Sequence, residues 1–268
     1  MDNTDQSTNL SPVDHPSSST REIEVIFIRH AETQENVRVN ALFSILAGLM
    51  QFRLPSLEQL SQVAHLVFLK EEDSDLSPRG AQQLLDMQRT LQITQFWKKN
   101  PFEACFYSPY IRAERTCMTL LSPSLHTLCN ALDLLKEIPF YAHLSSKLRE
   151  KTHLLEQFLL STPYTYKRVV LVGHCKFFHT LLHPPGHSAS PSELMWNCDI
   201  VRATMRVTRS SRVGDTQILD SQISWSRPVL VLRSPLSTAH PASSLLRYRI
   251  FQGGGGGSRD GVDGSRSR

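Results

Sequence analysis

Two apolar runs, each delivering a histidine at its end, constrain this chain more than any other feature. Glu24-Val25-Ile26-Phe27-Ile28 leads into Arg29-His30-Ala31-Glu32-Thr33, and Arg168-Val169-Val170-Leu171-Val172-Gly173 leads into His174. Short, nearly unbroken apolar runs of this kind are strands buried on both faces. Open α/β sheets place their chemistry at the C-terminal ends of such strands. Arg29 sets a permanent cation beside His30, a potential nucleophile, and that pairing suits a phosphate ester better than an uncharged substrate.

With 268 residues and 40% hydrophobic content, the chain is long enough for one large α/β domain. A net charge of +4 fits an anionic small molecule and is too weak and scattered to argue for nucleic acid. The five cysteines, Cys105, Cys117, Cys129, Cys175 and Cys198, include no C-x-x-C pair, which argues against a disulfide framework or a zinc site. Reduced thiols in an intracellular, cytoplasmic setting are the simplest expectation. The acidic, polar N-terminus is no secretory signal. Val39 to Phe52 is too short to span a bilayer and reads as a buried or capping helix, so no membrane association is expected.

Residues 1–20 and 252–268, the latter with a run of five glycines, are expected to lack structure, leaving an ordered domain over 21–251. Within it strands and helices alternate. Ser56 to Leu69 has helical spacing. Ser77-Pro78 and Ser108-Pro109 both read as helix starts, Ser as N-cap and Pro in the first turn. After the first, Ala81, Leu84, Leu85, Gln88 and Leu91 trace a face. Cys105 to Tyr107 is a short strand and Ile111 to Leu121 a helix. Ser146 to Leu160 is a helix, Ser190-Pro191-Ser192-Glu193 a capping box, and Val201 to Thr208 a strand, with another expected within Trp225 to Leu232. The fold class that follows is a three-layer α/β/α sandwich with a mostly parallel central sheet.

Four blocks now line up. They are Arg29-His30-Ala31-Glu32-Thr33-Gln34-Glu35-Asn36; Leu76-Ser77-Pro78-Arg79-Gly80-Ala81-Gln82-Gln83; Ser108-Pro109-Tyr110-Ile111-Arg112-Ala113-Glu114-Arg115-Thr116; and Val169-Val170-Leu171-Val172-Gly173-His174. In order and content they resemble the histidine phosphatase superfamily, whose fold is phosphoglycerate mutase-like. The resemblance covers roughly residues 24–208, and four ordered blocks are far more specific than one Arg-His pair.

The resemblance implies a phosphatase acting through a phosphohistidine intermediate on a phosphorylated small molecule or a phosphoprotein. It casts His30 as nucleophile and Arg29, Arg112 and His174 as the phosphate pocket, with Asn36 beside it. The proton donor follows a Leu-x-Glu pattern, which Leu135-Lys136-Glu137 fits. Glu150 is the rival, but it lies in an amphipathic helix where an acid among basic residues faces solvent. Thr33 and Ser77 are weaker candidates that could serve only as caps. No metal and no organic cofactor is expected. The chemistry agrees with these roles: phosphoryl transfer asks the protein mainly for positioning and charge neutralisation, plus an acid for the leaving oxygen.

The chain departs from the pattern in places. Ala31 stands where glycine is usual and would be strained if the backbone needed positive φ. Cys175 follows the second histidine and is an oxidisable thiol near the site or an ordinary buried cysteine. Residues 37–75 are an insertion and a candidate lid. The missing Gly-x-x-Glu-Gly pattern of sugar-bisphosphate phosphatases and the absence of long mutase loops favour a phosphatase over a mutase-type phosphotransferase. A non-catalytic module that binds phosphorylated partners is the alternative from another class. His179, His183 and His187 recur every four residues, but Pro184 and Pro185 break the helix that a metal site would need. Trp196 reads as a packing anchor. No signature of a serine hydrolase, kinase or dehydrogenase is present. Nothing in the sequence fixes the oligomeric state.

Overall fold

The computed structural model describes residues 18–68, 73–137, 144–161, 166–183, 195–210 and 220–236. Seven strands make one sheet: β1 (Ser18–Arg29), β2 (Ala104–Tyr107), β3 (Cys129–Ala131), β4 (Arg168–Gly173), β5 (Ile200–Ser210), β6 (Asp220–Trp225) and β7 (Val229–Leu232). The order is β3-β2-β4-β1-β5-β6, with β7 also on β5. The first four strands pair in parallel. β5 runs against β1, and β6 and β7 run against β5. Six of the seven strands therefore point one way, as a mostly parallel sheet requires.

Helices cover both faces of the sheet, which is why its central strands are apolar throughout. Alternation along a strand sends successive side chains to opposite faces. Ile23, Val25 and Phe27 of β1 join Val169 and Leu171 of β4 in one core, and Ile26 and Ile28 join Val170 and Val172 in the other. The first core packs on α6 (Leu144–Ser161) through Leu148, Leu155 and Leu159 and on α7 (Cys175–Leu182) through Phe177 and Phe178. The second packs on α3 (Pro78–Ile93) through Leu84, Met87 and Leu91 and on α5 (Ile111–Leu120) through Ala113 and Cys117. Each such fully buried aliphatic side chain contributes about 1.5–3 kcal/mol. Phe27 meets Phe178 edge-on, ring centres 5.0 Å apart. The helix after β2, α5, thus lies on one face and the helix after β4, α7, on the other. Two adjacent parallel strands whose onward helices diverge open a crevice at their C-terminal ends.

Several elements differ from the sequence expectation. β1 begins at Ser18, inside the segment expected to lack structure, because the long antiparallel partner β5 extends its ladder to Ser210. On α3 the buried positions are Gly80, Gln83, Leu84, Met87 and Leu91, whereas Ala81 and Leu85 face solvent. Ser77 caps α3 as expected, its hydroxyl accepting from the Gly80 amide. Ser108 does not cap α5; Tyr110 holds that position without a capping hydrogen bond from its side chain. The apolar stretch over 39–52 is helical within α1 (Gln34–Leu49), but that helix has no buried residue. It packs beside α2 (Leu57–Phe68), and Met50, Phe52 and Leu54 in the connection are exposed. These two helices make up most of the insertion. A further short helix, α4 (Phe96–Lys99), precedes β2. The expected strand within 225–232 is the end of β6 and all of β7. The capping box at 190–193 and both termini lie outside the described residues. No described helix is long and apolar enough to cross a membrane.

Gly80 shows how tightly α3 docks. A Cβ there would collide with the carbonyl oxygen of Glu32, in the loop after β1. Gly80→Ala is expected to destabilise the fold by about 1–3 kcal/mol, the usual range for overpacking. A lowered urea midpoint with unchanged slope checks this; an unshifted midpoint contradicts the packing.

Candidate active site

Strand register levels the site. Arg29 pairs with Gly173, Val172 with Tyr107, and Tyr107 with Ala131. The residues that leave these strands, His30, His174 and the segments bearing Arg112 and Glu137, therefore emerge at one edge. The His30 amide donates to the Gly173 carbonyl at 3.0 Å, and the Ser108 amide to that of Val172 at 2.9 Å. The rings of His30 and His174 lie 5.1 Å apart.

His30 is buried, and its Nδ1 is 2.7 Å from the Ala31 carbonyl oxygen. A carbonyl only accepts, so Nδ1 carries the proton and Nε2 keeps its lone pair. The loop around it is held on every side. Ala31 N donates to Thr116 Oγ1 at 3.0 Å, and Asn197 Nδ2 donates to the His30 carbonyl at 3.0 Å. Glu32 N donates to Gln83 Oε1, and Ser77 Oγ to Glu32 Oε1. Ser77 and Gln83 of the second block thus hold the loop that follows His30. Ala31 is not among the described residues with positive φ, so it carries no strain.

Arg112 is buried at the start of α5, bracketed by two carboxylates. Nη2 is 3.0 Å from Glu137 Oε2, and Nη1 is 3.3 Å from Asp73 Oδ1. Asp73 also accepts from the Ile111 amide at 2.6 Å, doing for the helix N-terminus what Tyr110 cannot. The Tyr110 ring lies under the guanidinium, 4.5 Å away. His174 is fully buried; Nε2 is 2.9 Å from Ser108 Oγ and Nδ1 is 3.4 Å from Glu137 Oε2. Nδ1 has no hydrogen-bond partner among the described residues, and in the pair of Nε2 with Ser108 Oγ either atom can be the donor.

Arg29 closes the other side. Its Nη1 donates to the Met195 carbonyl at 2.6 Å, and its buried Nε has no hydrogen-bond partner among the described residues. Its amide donates to the carbonyl of Asp199, which Arg233 grips through both carboxylate oxygens. Burial pushes the Asp199 carboxyl above the ordinary carboxylate range despite that pairing.

Both site histidines sit well below the usual imidazole pKa. Burial is the main cause for His30, followed by His174, Arg112 and Arg29, with Glu137 opposing. For His174 the causes are burial, then Arg112, Arg29 and Lys151. The pocket is cationic through its arginines and keeps its imidazoles neutral.

The six residues singled out from sequence fall as follows. His30, His174, Arg112 and Glu137 converge, and Arg29 flanks them. Asn36 lies at the first turn of α1, where its Oδ1 accepts from Thr33 N and from Asn197 Nδ2, the amide that holds the His30 carbonyl. The rival Glu150 is exposed on α6. Thr33 is the N-cap of α1. Burial pushes the Cys175 thiol up, which disfavours the reactive thiolate. His179 and His183 stack 4.5 Å apart on α7, while His187 lies outside the described residues. Trp196 packs under Arg233. Sequence reading missed Ser108, Tyr110 and Thr116 as partners of the site, although all three lie in its third block, and nothing signalled Asp73 or Asn197.

No family description and no curated protein matches the chain. Solved structures do resemble it. A phosphoserine phosphatase from Entamoeba histolytica is 16% identical at a TM-score of 0.40, covering 78% of this chain and 95% of that one. A mycobacterial glucosyl-3-phosphoglycerate phosphatase is 15% identical at 0.43, covering 79% and 98%. An alpha-ribazole phosphatase from Shigella flexneri is 15% identical at 0.43, covering 80% and 98%. Likeness at this level decides neither family nor activity, and the functional reading rests on the geometry above.

The depressed histidine pKa values carry a sign. A base whose pKa is lower folded than unfolded binds more protons when unfolded, so stability is retained above the unfolded value of 6.5 and falls as pH drops below it. Urea midpoints are expected to fall from pH 7.5 to pH 5, and His174→Asn to flatten that fall. An equal slope in the variant contradicts the assignment.

Proposed function

We propose that the protein is a phosphomonoesterase that hydrolyses a phosphorylated small molecule or phosphoprotein through a phosphohistidine on His30. The observation that carries this reading is the locked His30 ring, its Nε2 lone pair free in a buried pocket that also holds Arg112, His174 and Glu137.

In the first step Nε2 of His30 attacks phosphorus and the phosphorus–oxygen ester bond breaks. Arg29 and Arg112 neutralise the equatorial oxygens, and His174 lies in the same buried pocket. Phosphate arriving at Arg112 displaces Glu137 from the cation and frees that carboxyl to carry the proton the leaving oxygen needs. Glu137 then protonates the leaving oxygen. In the second step it takes a proton from water, the oxygen attacks phosphorus, and the nitrogen–phosphorus bond breaks to restore His30. A neutral imidazole is the nucleophilic form, so the pKa depression of His30 keeps it competent into mildly acidic solution.

Phosphate release from an aryl phosphate is expected to fall more than about 1,000-fold in His30→Ala. In the first turnover, read as release of the alcohol, Glu137→Gln is expected to lose about 100- to 10,000-fold on an alkyl phosphate, and far less on a nitrophenyl ester, whose leaving group needs no proton. Equal rates for wild type and His30→Ala would refute the catalytic reading and leave a phosphate-binding module. Equal losses on both esters would remove Glu137 as the acid.

A further inference from the structure

We propose that Cys105, Cys117 and Cys129 form a three-thiolate site for a soft monovalent d10 cation, Cu(I). The site lies at the far edge of the parallel sheet and plays no part in the phosphoryl chemistry. The three cysteines come from β2, α5 and β3, and all three sulfurs lie within 4.8 Å of one another. Cys105 Sγ and Cys117 Sγ are 3.6 Å apart. A cation bound at the usual thiolate distance of about 2.3 Å holds three sulfurs about 3.8–4.0 Å apart, so the thiols are close to coordinating separation.

The surroundings select the ion. Among the described residues no other group of three or more His, Cys, Asp or Glu side chains comes so close together, and no histidine or carboxylate joins this one. The neighbouring His126 turns its Nε2 to the carbonyls of Met118 and Leu121 instead. The walls are apolar, with Leu120 and Leu121 buried and Leu125 and Leu128 packed against them. Cys129 Sγ also donates to the Leu125 carbonyl at 3.5 Å; three soft thiol donors with no histidine or carboxylate favour Cu(I), which accepts three-coordination, over zinc, whose structural sites take four ligands. Cys105 and Cys117 are buried, but Cys129 is only half-buried on edge strand β3, which gives the ion a way in. Binding involves no change of oxidation state: each thiol that bonds the metal releases its proton to solvent. In the sequence the three cysteines stand twelve residues apart, too far to read as ligands.

The test titrates reduced full-length protein anaerobically with Cu(I) against bathocuproine disulfonate. Wild type and Cys175→Ser are expected to hold one equivalent, and Cys129→Ser and Cys117→Ser to hold it more than about tenfold less tightly. Far-UV circular dichroism checks that the variants fold. In unmutated protein, Cu(I) is expected to protect Cys129 from alkylation while labelling of Cys175 stays unchanged. Equal affinity in wild type and Cys129→Ser, or protection of Cys175 with Cys129 still labelled, overturns the site. Zinc held more tightly than copper in a parallel competition overturns the choice of ion.

Discussion

The in-register parallel ladder β3-β2-β4-β1 is the constraint on which the rest depends. Its hydrogen bonds set Arg29 level with Gly173 and Val172 level with Tyr107. A slip of one residue would turn every apolar side chain of β1 or β4 to the opposite face. Two separate cores oppose such a slip, because each reads alternate residues of the same strands. Burial energy spread over the whole sheet is thus converted into the placement of two imidazoles 5.1 Å apart. The crevice exists because α5 and α7 leave the neighbouring strands β2 and β4 toward opposite faces.

The pocket sets charge against charge. Arg112 is buried only because Asp73 and Glu137 flank it, since an unpaired buried cation is costly. The same guanidinium, with burial, keeps both histidines neutral. In the proposed reaction a phosphate dianion takes over at Arg112 the charge that Glu137 supplies.

Much of this was legible in the sequence. Strands buried on both faces are unbroken apolar runs, so β1 and β4 announced themselves, and with them the edge of the sheet where His30 and His174 meet. Ser77 as N-cap and the exposed setting of Glu150 were also readable, the first from its Pro-Gly context and the second from helix amphipathicity. What failed was information held in three dimensions. The face of α3 was misread because Gly80 and Gln83, neither of them apolar, are buried by docking to the loop after His30. Ser108 looked like a cap because the local pattern is that of a cap, yet β2 stops where its hydroxyl meets His174. The apolar stretch over 39–52 looked like core but belongs to a helix pair that stands on the surface. The cysteine cluster is invisible to spacing rules, since three different elements bring its members together.

The central claim is that His30 carries the phosphoryl group covalently. Brief reaction of the protein with a radiolabelled phosphomonoester, an alkaline quench and peptide mapping test it directly. The account requires a label that survives alkali, is lost in acid, and maps to the peptide containing His30. Turnover of the same ester with no such label on the chain, or an undiminished label in His30→Ala, contradicts it.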